Sequence, residues 1–320
     1  MAYGFAGYFG LGKETAWGTA VSATDYIKMM SESAALQIDR YDTQNIIGGY
    51  YEPDDTAGVR RVVGEMSFFG HPVSIGHALT GVLGAPSSVA SLNSALARTE
   101  WIPKQSDTGS ANPFPAYTCE FYRDITSAQQ VSGVQFSRLQ LSTQANQDLR
   151  VTCGIIGKAM TNIARSSSGT PTYPGSPVDP FAFDTASVQI AGAAVDRVEA
   201  LSLVIDNQLD GIATLNNSNT ISRVRRKGPP LTSISGTMDL IDITDLNRFI
   251  NQTEMAMTIS FFQANSFGLV IELPRVVYTA FPISAPGRER LTVQFEGKVR
   301  YHSGSATAMR IMLTTTKSNY

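Results

Sequence analysis

The sequence is poor in charge. Asp, Glu, Lys and Arg make up 16% of its 320 residues, against about 25% in an ordinary globular chain. Acids and bases nearly cancel, for a formal net charge of −2, which excludes a general attraction to nucleic acid. Cysteine is almost missing. Cys119 and Cys153 each stand in an apolar, strand-like run, with no CxxC pair and no metal-type spacing, so both read as buried thiols. No apolar run approaches the about 18 residues of a membrane span. The N-terminus lacks a basic region followed by an apolar run, so no secretory signal is expected and the chain is expected to be cytosolic when made.

What is present is 42% apolar residues and many Gly, Ser, Thr, Asn and Gln. The length suffices for two domains. A weakly charged surface rich in Thr and Ser suits β-structure and large contacts between proteins.

Most segments read as strands. LQLSTQ (139–144), LRVTCGII (149–156), LSLVID (201–206), MAMTISFF (255–262), LVIEL (269–273), LTVQFEG (291–297) and MRIMLTTT (309–316) are short, often alternating and bounded by turn residues. Two helices are expected, over 71–83 between Pro72 and Gly84, and over 242–252 with Asp242 or Thr244 as cap. The Ser/Pro/Gly-rich stretch 161–180 reads as a linker between two nearly equal halves.

The halves share an order of motifs. LQID (36–39) answers LVID (203–206), and VVGEMSFF (62–69) answers ISGTMDLI (234–241) before each helix. YTCEFYR (117–123) is set against LVIELPR (269–275), and VTCGIIGK (151–158) against LTVQFEGK (291–298). This order is that of a duplication.

Candidate sites have plainer readings. GYFGLGKET (7–15) approaches a phosphate-binding loop, but Glu14 replaces the hydroxyl that would reach Mg²⁺, and no strand-loop-helix context surrounds it. Ser74 in PVSIG lacks the first Gly of a nucleophile elbow, and His71 and His77 lie too close in sequence for a typical triad base. Asp239, Asp242 and Asp245 straddle a strand end and a helix start, where Asp caps rather than binds metal. SRVRRKGPP (222–230) is basic, while its counterpart YYEPDDTAG (50–58) is acidic. Loops of opposite charge suit register between stacked subunits. Neither catalytic, metal-binding nor cofactor-binding residues are expected.

GKETAWGTAVSAT (12–24) resembles the opening of the tail tube proteins of long-tailed bacteriophages, in which a Gly-rich arm precedes Glu-Thr-x-Trp-Gly-Thr-x-Val. Glu14, Thr15, Trp17, Gly18, Thr19, Ala20 and Val21 fit. VEALSLVIDNQLDGI (198–212) and VIELPRVVYTAFPISAPGRERLTVQFEGKVRY (270–301) resemble later parts of that family.

The resemblance implies a mainly β fold, with tandem β-sandwich or half-barrel units, each flanked by a helix, assembling around a continuous inner barrel. The expected division is an N-terminal arm (1–33), a first tube-like domain (34–160), the linker, and a second tube-like domain (181–320). The implied function is a tail tube subunit stacked in rings around a DNA lumen, in the virion tail and assembled in the host cytoplasm. Implied partners are the chain itself, in rings of three or of six, and the tape measure, tail tip and tail terminator proteins, with DNA in transient passage. Glu14, Trp17, Glu52, Asp54, Asp55, Arg223, Arg225, Arg226 and Lys227 are the expected assembly residues, and Trp17 the expected anchor on a neighbour. Rival readings are a virion decoration or carbohydrate-binding module, and a hydrolase using Ser74.

Overall fold

A computed structural model describes the chain apart from residues 1–2, 43–54, 94, 105, 108–111, 166–170, 174–178, 265, 284–286 and 288–289. The first half opens with β1 (Tyr8–Lys13), β2 (Asp25–Ile27), β3 (Met29–Glu32), β4 (Ala35–Asp42) and β5 (Asp55–Phe69). Helix α1 (Ile75–Leu83) follows, then β6 (Ser88–Ser91) and β7 (Ala97–Trp101). It closes with β8 (Tyr117–Tyr122), β9 (Ser127–Gln144), β10 (Arg150–Gly157) and β11 (Ala159–Ala164). The second half holds β12 (Ala186–Ile190), β13 (Ala193–Val195), β14 (Val198–Asp206), β15 (Leu209–Ile212), β16 (Arg223–Arg226) and β17 (Leu231–Asp239). After α2 (Thr244–Ile250) come β18 (Met255–Phe262), β19 (Gly268–Ala280), β20 (Thr292–Val299) and β21 (Arg310–Thr315).

Eight strands form one antiparallel sheet across both halves, in the order β4-β5-β10-β9-β14-β17-β20-β19. The first four belong to the first half and the last four to the second. The N-terminal stretch of β9 leaves this sheet to pair with β8 and β11, and β8 pairs with β1, which pairs with β2. The second half repeats this connectivity: β19 pairs with β18 and β21, β18 with β12, and β12 with β13. The matched motifs also keep register. Leu36 lies opposite Val62, and Leu203 opposite Ile234. Met66 lies opposite Cys153, and Met238 opposite Val293.

Alternation makes the core. One row across the long sheet reads Phe68, Val151, Leu141, Leu203 and Ile234, all buried. Because side chains alternate faces, the adjacent row points away from the core. Helix α1 is wholly buried, its polar His77 and Thr80 included, which two glycines permit. A methyl at Gly81 would stand 1.9 Å from the Phe136 ring, and one at Gly76 would meet Tyr320. Gly84 ends the helix with φ of 101° and donates its N–H to Thr80. Among the described residues, no helix is long and apolar enough to cross a membrane.

Four expectations need correction. Residues 8–13 belong to no arm, since β1 is an inner strand between β2 and β8. The stretch expected as linker begins inside β11. The basic stretch 222–230, expected as a loop, supplies β16 of the β15–β16 hairpin. YTCEFYR forms β8, whose counterpart in connectivity is β18, while LVIELPR lies in β19 and answers β9. Both β8 and β19 are inner strands with similar alternation, so pattern alone mispaired them.

Candidate assembly surface

The face of the long sheet opposite the core is nearly neutral. One row reads Ser67, Thr152, Gln140, Val204, Ser233 and Lys298; another reads Arg150, Ser142, Ser202, Ser235 and Glu296. Short polar side chains bond across strands: Ser67 Oγ and Thr152 Oγ1 lie 3.0 Å apart, and Gln140 Nε2 donates to Ser202 Oγ at 3.1 Å. Several charges are neutralised in place, Arg138 by Glu65 at 3.6 Å and Arg61 by Asp39 at 2.9 Å. A groove of about 420 Å³ runs along this face between Ser142, Ser202, Ser235 and Gln294. Sequence reasoning missed this surface, although the Ser/Thr/Gln alternation of β9, β14 and β17 was its visible trace.

One end of the sheet is open. β4 pairs with β5 on one side, and among the described residues nothing pairs with its other side. Unpaired backbone groups along such an edge are a template for another strand.

The expected assembly residues scatter. Glu14 is buried and accepts hydrogen bonds from Thr118 Oγ1 and the Gly133 N–H, both at 2.8 Å, and from the Gly18 N–H at 2.7 Å. Trp17 Nε1 donates to the Gly133 carbonyl at 3.0 Å, and the Lys158 ammonium lies 5.0 Å from its ring centroid. Both residues therefore act inside their own chain, and Trp17 is no free anchor. Arg226 is likewise used internally, 3.2 Å from Asp107 and over the Phe114 ring. Arg223 is exposed, and Arg225 pairs in register with Asp210, which also meets Lys227 at 3.4 Å. Asp55 pairs with Arg40 at 2.7 Å. Glu52 and Asp54 lie outside the described residues. The β15–β16 loop reaches back to the first half, where the Arg60 N–H donates to the Asn219 carbonyl at 2.7 Å, and its Leu215 is fully exposed.

The chemical candidates resolve into structural roles. His77 Nε2 faces Lys317 Nζ at 3.1 Å and Asp25 at 3.6 Å, while its Nδ1 has no hydrogen-bond partner among the described residues. Ser74 and the His77 ring therefore do not form a nucleophile–base pair. Asp239 meets Arg290 at 3.4 Å, Asp242 accepts the Thr244 N–H at 2.7 Å, and Asp245 is buried between Arg197 and Arg248. These three carboxylates turn to different partners, and the described residues contain no metal-type cluster.

Burial pushes the His77 imidazole below its ordinary range against the opposing pull of Asp25, and Lys317 adds to the depression. Below about pH 6.5 the unfolded chain takes up a proton that the folded one resists, so stability falls as acid is added. The thermal midpoint is expected to fall as the pH drops below about 6.5, by at most about 2 °C per pH unit, the limit for one proton in a chain of this length. His77→Gln is expected to flatten this slope; equal slopes in wild type and variant would remove His77 as the cause.

The sequence matches the family model for phage tail tube proteins over residues 4–297. The chain belongs to that family. No curated protein matches the sequence. A tail tube protein is a structural component of the virion tail that assembles with copies of itself and with other tail proteins, a role that implies no catalysis.

Proposed function

We infer that the chain is a tandem tail tube subunit whose long sheet forms part of the wall of a DNA conduit. The observation that carries this reading is the four-plus-four sheet, with the same connectivity in each half and one nearly neutral face. Within the chain, β9 joins β14 and so continues the first unit into the second. The open edge of β4 is where another copy continues the sheet. Three chains then supply the six units that single-unit relatives provide by six chains, because closure depends on folds rather than chains. Covalent linkage of two units raises their effective concentration for each other.

The neutral face is assigned to the lumen. Rows of Ser, Thr and Gln offer DNA no dense array of cations, so phosphates are not retained during ejection. The exposed tip of the β15–β16 hairpin, with Leu215, suits contact between stacked rings. Assembly in the host cytoplasm with the tape measure, tip and terminator proteins completes the reading. Cryo-electron microscopy of the purified polymer tests it. Hollow tubes with three chains per ring are expected; six identical chains per ring would overturn the tandem reading, and globular monomers under every assembly condition would overturn the conduit.

A further inference from the structure

We propose that the aromatic segment Tyr3–Phe5 of one copy seats on a patch formed by Ile241, Ile243 and Leu291 of a second copy. This contact rests on the tube reading and specifies how one chain is clipped to the next.

The template lies inside the chain. Gly70, directly after β5, donates its N–H at 2.7 Å to the carbonyl of Leu149, directly before β10. Phe181 closes over this bond. Its N–H donates to the Gly70 carbonyl at 3.0 Å, and its own carbonyl accepts the Leu149 N–H at 2.7 Å. The Phe181 ring is fully buried and lies 5.9 Å from that of Phe261. Phe181 leads into β12, so a segment of the second half clips the first.

The same place in the second half is bare. Leu240, directly after β17, donates its N–H at 3.0 Å to the carbonyl of Leu291, directly before β20. Among the described residues no third segment joins this bond. Leu291 is 38% exposed where Leu149 is 2% exposed, and Ile241 and Ile243 are each 66% exposed. Exposed branched aliphatics grouped at one site mark a surface that is covered in the assembly.

The occupant follows from connectivity. β1 pairs with β8 as β12 pairs with β18. The segments leading into β1 and β12 each begin aromatic-small-aromatic, Tyr3-Gly4-Phe5 and Phe181-Ala182-Phe183, and each makes a 3-10 turn. Phe5 is 89% exposed in its own chain. An incoming copy brings the Tyr3–Phe5 segment together with the open edge of β4, as the second half brings the Phe181–Phe183 segment together with β14. The clip is thus continuous with the sheet junction already seen between the halves.

Mixing Phe5→Cys protein with Ile241→Cys protein under mild oxidation tests the contact. The native Cys119 and Cys153 are buried, so a covalent dimer formed only in the mixture is the expected product. Phe5→Ala is expected to melt like wild type but to require about tenfold more protein to polymerise. Wild-type tubes without the cross-link, together with normal polymerisation of Phe5→Ala, would overturn the clip and leave the tube reading standing. A cross-link in protein that never forms rings would keep the clip and overturn the tube.

Discussion

Deleting residues 2–18 is expected to abolish folding. The segment contains β1, which hydrogen-bonds to β2 on one side and β8 on the other. Phe9 and Leu11 are each 1% exposed. Their burial alone contributes about 3–6 kcal/mol, a large share of the about 5–15 kcal/mol that holds a domain together. The deletion also removes the Glu14 carboxylate, which the Thr118 hydroxyl and Gly133 N–H would be left without. Circular dichroism should show no cooperative thermal transition. Deleting only residues 2–6, ahead of β1, should leave the transition intact. A soluble, cooperatively melting protein lacking residues 2–18 would show that β1 is dispensable.

The second large effect is expected at Asp245. Its side chain is 3% exposed and receives Arg197 on one oxygen and Arg248, at 2.7 Å, on the other. Asp245→Ala leaves two guanidinium groups without their counter-ion beneath α2. Removing one partner of such a buried network costs about 3–5 kcal/mol. Asp245→Asn keeps the volume and some hydrogen bonding, so a smaller loss is expected. Urea unfolding measures both. A loss below about 1 kcal/mol for Asp245→Ala would mean that water compensates the arginines and that the network does not hold the helix.

The strand segments, both helices and the family were legible in the sequence for local reasons. A pleated strand repeats every two residues, so MAMTISFF and LTVQFEG display their buried face in the sequence itself. Pro72 and Gly84 bracket α1 because ring geometry and positive φ act on single residues. The Trp-Gly-Thr opening marked the family, but not the intrachain task of Glu14 and Trp17. That task depended on partners more than 100 positions away: Glu14 meets Thr118 and Gly133, and Trp17 meets Gly133. Likewise Arg226, read from a charge run as an assembly residue, finds Asp107 and Phe114 in its own chain. Charge runs say that cations are near each other, but not which distant acid or ring the chain returns to them. Only the tertiary structure decided that β9 crosses from one half to the other by pairing with β14, and that β4 is left open among the described residues. Alternation specifies which face of a strand is buried; the neighbour on either side is chosen by packing and loop closure over the whole chain, which no local pattern encodes.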